Sequence, residues 1–223
     1  MDQKFQKIKE IVKKELSCSA HDIDHIMRVY NLCLRLAKNQ DIDLDVLKAA
    51  ALLHDIARVK EDDDPSGNTD HAILSSEMAV PILQELEFSG NRIKHIQDCI
   101  VSHRYRTGSE PKTEEAKILF DADKLDVVGA IGLARSFVWV GRNDAKIYQK
   151  VDIKEYIQDN LGGKINGRIQ DKTKHSPQIE FETKWKFLID KLHTEQAKKI
   201  CRERITFLKD FLERLEKEIY GEL

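Results

Sequence analysis

Apolar residues recur along most of this chain in steps of three and four, the spacing of one helix face, and alternate in strand fashion almost nowhere. Phe5, Ile8, Val12 and Leu16 mark a first amphipathic helix. A second runs from about His21 to Lys38, with Ile26, Val29, Cys33 and Leu36/Ala37 as its stripe. Asp43 suits the N-cap of a third, from Leu44 to about Val59. The acidic stretch KEDDDPSGNTD then breaks the pattern. Its run Asp62, Asp63 and Asp64 reads as a solvated loop rather than as metal ligands, because like charges in a run stay in water. A fourth helix starts near Thr69 or Asp70 and contains Pro81, which should kink or restart it. Ser89 caps a fifth helix reaching about Tyr105. Thr113 and Glu115 open a sixth that carries Asp123 and continues to about Phe137.

The remainder is less regular. Tyr148, Val151, Ile153, Tyr156 and Ile157 fit a helix, whereas the polar stretch at about 158–180, with three glycines and a proline, reads as a loop or mobile lid. From Phe181 to Tyr220 there is neither Gly nor Pro. There Ile205, Leu208, Leu212, Leu215 and Ile219 form a narrow stripe that could pack on the core or on a second subunit. The expected architecture is all-α. Residues 1–140 form the core bundle and 141–223 a helical extension packed on it as one domain.

Composition narrows the function classes. Only 10 Gly and 4 Pro among 223 residues favour long helices. A formal net charge of -2 argues against a nucleic-acid duplex as partner. No apolar run approaches the ~18 residues that span a bilayer. The charged, amphipathic N-terminus does not read as a signal peptide. The four cysteines, Cys18, Cys33, Cys99 and Cys201, have no tight metal spacing, so reduced thiols and a cytoplasmic setting are expected.

Candidate chemistry lies where charged or imidazole groups interrupt apolar faces. His21 and His25 share a helix face, and His25 continues the stripe through Val29. His54 and Asp55 interrupt an otherwise apolar run from Ala49 to Ala57. An unpaired buried carboxylate costs several kcal/mol, and a cation held by both residues compensates it. Asp123 is the one charged member of the stripe Ala116, Leu119, Asp123, Val127, Ala130 and Ala134. Asp121 and Asp126 fall to its sides, so Asp123 is the carboxylate expected to be buried. His103 follows Ile93, Ile96 and Ile100 inward, and His71 opens a helix after the acidic loop. Any one of these fits a core histidine or a paired acid. Together they describe a bundle-core metal site with ligands from separate helices. Two imidazoles and two carboxylates without a thiolate suit Mn²⁺, Fe²⁺, Co²⁺, Ni²⁺, Zn²⁺ or Mg²⁺.

The ordered set His25, His54-Asp55 and Asp123 resembles the signature of the HD-domain metal-dependent phosphohydrolase superfamily. The flanking segments HDIDHIMRV, LLHDIA, HAILSSEMA, SHR and DADKLDVVGAIGLAR resemble small bacterial and archaeal members that include (d)NTP pyrophosphohydrolases. The likeness covers roughly residues 18–140. It implies an HD-type helical bundle with a C-terminal helical extension, and one divalent ion (Mn²⁺ favoured) on His25, His54, Asp55 and Asp123. It also implies metal-assisted hydrolysis of a phosphoanhydride or phosphoester bond in a small phosphorylated substrate, a (deoxy)nucleoside phosphate. His71 and His103 are the candidate catalytic proton carriers, or ligands of a second ion. The paired histidines of two-metal relatives are replaced here by His103-Arg104. Lys124, Arg28 and Arg135 are candidate substrate contacts, although Arg28 and Arg135 also fit as counter-charges of buried carboxylates. The competing readings are a nucleotide- or metal-binding regulatory module without turnover, and an oligomeric interaction protein that dimerises through its C-terminal helix.

Overall fold

The computed structural model describes residues 2–16, 23–104, 108–165 and 167–223. The fold is all-α, and no strand occurs among the described residues. Cys18, His21 and Tyr105 lie outside them. The chain divides into two compact units, 1–123 and 124–223.

In the first unit α1 (Gln3–Glu15) buries Phe5, Ile8 and Val12 along the expected stripe. Helix α2 (Ile23–Leu36) buries His25, Ile26, Val29, Cys33 and Leu36. Helix α3 (Leu44–Leu53) starts where the Asp43 carboxylate accepts the Asp45 and Val46 N–H groups. It packs against α1, α2 and α6 (Gly90–Ser102), and is buried nearly all round. Helix α5 (His71–Glu85) is capped by Asp70 and runs through Pro81 without restarting.

Two expected long helices are broken. Residues 54–57 form a turn, and the chain resumes as α4 (Arg58–Asp62). Three-residue bonds, Ile56 N–H to Leu53 and Arg58 N–H to Asp55, tighten the backbone here. The Ala57 N–H is taken by the buried Ser75 hydroxyl at 3.0 Å, a long-range bond with no trace in helical periodicity. The acidic loop that follows is organised by Asp64, which accepts from the Ser66 and Thr69 N–H groups and the Ser66 hydroxyl.

The second break follows α7 (Glu114–Leu125), before α8 (Gly129–Arg142). Gly129 has a φ of +79°, which the chain needs to turn here. Val127, expected on the inward stripe, is consequently exposed. A Cβ on Gly132 would lie 2.2 Å from the Val127 carbonyl oxygen, so the small residues here admit the backbone of the turn.

In the second unit α8 packs on the long α11 (Glu195–Ile219), which buries Ala197, Ile200, Cys201, Leu208 and Leu212. The segment expected as a loop holds a 3-10 turn, Lys172–Lys174, and helix α10 (Pro177–Thr183), capped by the Ser176 hydroxyl. Its preceding stretch is clasped by Asn160, the last residue of α9 (Ile153–Asn160). The Asn160 side-chain amide donates to the Asp171 carbonyl, and its oxygen accepts the Asp171 N–H. Cys33, Cys99 and Cys201 are buried free thiols. Burial pushes Cys33 well above the ordinary thiol range and Cys99 up to about 12.

Two glycines of α8 test the account of the second break. Gly132→Ala should destabilise the protein by ~1–3 kcal/mol, the usual cost of overpacking. Gly141→Ala, whose Cβ meets nothing within 4 Å, should stabilise it by ~0.5–1 kcal/mol through helix propensity. Urea unfolding of both variants measures the difference, and equal effects would refute the close approach at Gly132.

Candidate metal centre

The expected ligand-type residues converge inside the first unit, and most sit at helix ends. His54 is the C-cap of α3, His103 the C-cap of α6, and His71 the first residue of α5. His25 lies in the first turn of α2, and Asp123 is near the end of α7. Because residues 54–57 leave the regular helix, His54 and Asp55 are not held to the side-chain directions of a continuous α-helix.

Asp55 is the shared member of two groups. Its Oδ2 lies 3.7 Å from His25 Nε2 and 3.8 Å from His54 Nε2. Asp123 Oδ1 faces the same two imidazoles at 3.5 and 4.0 Å. On the other side, Asp55 Oδ1 lies 3.1 Å from His71 Nε2 and 3.5 Å from His103 Nε2, and these two ring nitrogens are 3.3 Å apart. Each trio, His25–His54–Asp55 and Asp55–His71–His103, could hold a metal ion.

The protonation pattern fits a cation. His54 Nδ1–H donates to the Ala51 carbonyl at 2.9 Å, which leaves its Nε2 as a lone pair aimed at the cluster. His103 Nδ1–H donates likewise to the Ile100 carbonyl. His54 Nε2 and Asp55 Oδ1 are buried without a hydrogen-bond partner. Such atoms are rare in native proteins and fit a site that takes an ion or a water. Burial pushes His54 down to about 4, so it stays neutral and ready to ligate at neutral pH. Burial alone would push the Asp55 carboxyl up, but the surrounding imidazoles hold it well below the usual carboxylate range. For His71 burial works downward, yet the Asp55 and Glu61 carboxylates raise it above the ordinary imidazole value.

Asp123 departs from expectation in one respect. Its side chain is 15% exposed, whereas Asp121 is fully buried and Asp126 nearly so. Asp126 is compensated by Arg135, whose Nη1 lies 2.9 Å from its Oδ2. This is the counter-charge role offered for Arg135. Arg28 is half-buried, one turn beyond His25 on α2, and Lys124 follows Asp123 on α7.

Sequence reasoning missed an outer ring around His71. Glu61 Oε2 lies 2.7 Å from His71 Nδ1, and Arg58 and Arg104 both reach the Glu61 carboxylate. The spacing of Arg58 to Glu61 and Asp62, three and four residues, was the available signal for part of it. The Arg104–Glu61 pair spans 43 residues and leaves none.

A model of the HD domain matches residues 22–128. YpgQ of Bacillus subtilis (strain 168) is 29% identical over 210 residues, which span 91% of this chain and 86% of YpgQ. A predicted HD superfamily hydrolase from an uncultured Thermotogales bacterium, solved by crystallography, is 26% identical with a TM-score of 0.64. It covers 96% of this chain and 91% of its own. The Lin1889 protein of Listeria innocua is 25% identical with a TM-score of 0.69, covering 99% and 98%. A crystal structure of YpgQ in complex with ADP shares the fold, with a TM-score of 0.68, 24% identity and coverage of 97% and 95%.

Purified protein should therefore carry a divalent ion that His54→Ala loses while its helical circular dichroism is kept. Elemental analysis of both proteins checks this, and equal metal content would remove His54 from the site. Chelation should leave the wild type largely folded with a lowered Tm, since a ligand at a hundredfold excess over Kd adds ~2.7 kcal/mol. Complete unfolding on chelation would make the ion structural.

Proposed function

We propose, from the likeness to the HD domain over residues 22–128, that the chain is a metal-dependent phosphohydrolase acting on nucleotides. The bond cleaved is a phosphoanhydride or phosphoester of a (deoxy)nucleoside phosphate. One observation carries the reading: imidazole and carboxylate atoms of His25, His54, Asp55 and Asp123 converge 3.5–4.0 Å apart, and His54 Nε2 among them is buried without a hydrogen-bond partner. The YpgQ structure with ADP supports a nucleotide ligand.

A divalent ion on this donor set, with Mn²⁺ favoured, would supply Lewis acidity, acidifying water and polarising a phosphoryl oxygen. The chain's own groups do the rest. His54 presents a neutral imidazole beside that of His25, and Asp55 and Asp123 supply the compensating negative charge. His71 and His103 face the same carboxylate from the other side and are placed to take and return a proton. Lys124, Arg28 and Arg135 are the candidates for the charge on phosphoryl oxygens, and Arg135 also pairs with Asp126. Leu208 and Leu212 of the α11 stripe are buried within the chain, so a homodimer through this helix would draw on the exposed Ile219.

A second reading has its own observation. Asp55 Oδ1, His71 Nε2 and His103 Nε2 lie within 3.5 Å of one another and need a positive species between them. A proton on His71 satisfies them, and so does a second ion bridged by Asp55.

Metal-loaded protein incubated with nucleoside mono-, di-, tri- and cyclic phosphates should release products identifiable by phosphorus NMR. Tight binding of a nucleotide without any product would favour a regulatory module. For the substrate found, His103→Ala should lower kcat by ~10²–10⁴-fold, the usual cost of a lost general acid or base. The ion on His25, His54, Asp55 and Asp123 should stay bound. Recovery of kcat with rising Mn²⁺ would favour the two-ion reading, and wild-type kcat in the folded variant would remove His103 from the chemistry.

A further inference from the structure

His71 differs from His54 and His103 in what holds its Nδ1. His54 and His103 have their Nδ1–H groups fixed by backbone carbonyls, those of Ala51 and Ile100. His71 opens α5, and its Nδ1 meets a side chain instead: Glu61 Oε2, at 2.7 Å. We propose that Glu61 is a positioning residue that keeps the proton of His71 on Nδ1, so that Nε2 is the nitrogen that works against Asp55 and His103. The inference rests on the phosphohydrolase reading for its consequence in turnover, though not for the geometry.

Two groups compete for His71 Nδ1. Arg58 Nη1 lies 3.1 Å from it and 2.9 Å from Glu61 Oε2. A guanidinium only donates. If Arg58 donated to Nδ1, the lone pair of that nitrogen would be in use and would face a carboxylate oxygen at 2.7 Å, two acceptors in contact. A proton on Nδ1 removes the conflict. Arg58 then serves Glu61, and Nε2 is left to Asp55 Oδ1 and His103 Nε2, with the second proton or the ion that those three atoms need between them.

Glu61 is itself held. Arg104 Nη1 lies 2.6 Å from its Oε1 and 3.0 Å from Asp70 Oδ2. Asp70 is the N-cap of α5, accepting the Ala72 and Ile73 N–H groups. Arg104 therefore ties the carboxylate to the cap of the helix that His71 begins. The five-residue α4 contributes no buried residue to the core, and its product for the site is the placement of Arg58 and Glu61. A carboxylate behind a histidine that works through its other nitrogen fixes tautomer and ring orientation. Loss of such a partner typically costs 10–100-fold in activity or metal affinity.

The test reads the proton directly. Full-length, histidine-labelled protein is loaded with Zn²⁺, which is diamagnetic, and its ring nitrogens are assigned by long-range proton–nitrogen correlation. In wild type, Nδ1 of His71 should carry a proton. In Glu61→Ala that proton should leave Nδ1, where Arg58 now donates, while His54 and His103 keep theirs. With substrate and saturating metal, kcat of Glu61→Ala should fall ~10–100-fold with KM within about twofold. Glu61→Gln, whose amide oxygen still accepts from Nδ1–H, should recover most of the rate. An unprotonated Nδ1 in wild type overturns the proposal without any variant. So does a retained Nδ1 proton in folded Glu61→Ala, or Glu61→Gln as impaired as Glu61→Ala. If wild type turns over no nucleotide, the phosphohydrolase reading fails while the nitrogen spectra still decide the role of Glu61.

Discussion

One carboxylate governs the first unit. Asp55 is 6% exposed and sits at the end of a helix whose other residues are nearly all apolar. An anion placed there costs several kcal/mol unless positive or donor groups surround it. Four imidazole Nε2 atoms from different helices lie within 4 Å of it, and since those of His54 and His103 are lone pairs, that surround needs protons or a cation among them. Much of the local architecture serves this arrangement. Helix α3 stops at Leu53, the buried Ser75 hydroxyl holds the following turn open, and α5 begins on a histidine rather than after one.

The second unit shows what a histidine satisfied by its own protein looks like. His175 is buried, yet both ring nitrogens are engaged. Nε2–H donates to Glu180 at 2.9 Å, and Nδ1 accepts from the Tyr156 hydroxyl at 2.8 Å. Tyr156 in turn accepts from Asn160. Burial works against Glu180, but hydrogen bonds from His175 and Lys184 hold its carboxyl below the ordinary range. Nothing in that network asks for an outside cation. At His54 one nitrogen is satisfied and the other is orphaned. The contrast is internal to one chain, and burial alone does not show it, since both histidines are buried.

The features legible in the sequence are those written in local periodicity. The stripe of α1, the Asp43 cap of α3 and the charged pair inside the apolar run from Ala49 to Ala57 are all of this kind. So is the inward turn of His103 after Ile93, Ile96 and Ile100, all buried. What periodicity hides is where a helix stops for a tertiary reason. Ala57 N–H pairs with a hydroxyl 18 residues away, and the turn before α8 is shaped by Gly129 and by Gly132 beneath Val127. The stripe argument extended one helix across that turn and so misjudged the acids. Asp121 and Asp126 are the more deeply buried, and Asp123 is left partly open. Glu61 was lost among the acidic loop residues because its partners, His71 and Arg104, lie 10 and 43 positions away.

The buried thiols have a use that no catalytic argument touches. Cys33 and Cys99 lie in the first unit and Cys201 in the second, each closed to solvent and free of disulfide bonds. A thiol reacts with alkylating reagents as the thiolate, and burial holds Cys33 and Cys99 far toward the neutral form. Each can therefore be modified only in the moments when its surroundings open. The rates of labelling at these positions are built-in clocks for the breathing of the helices around them, and a tightly held ion should slow the clocks of the first unit first.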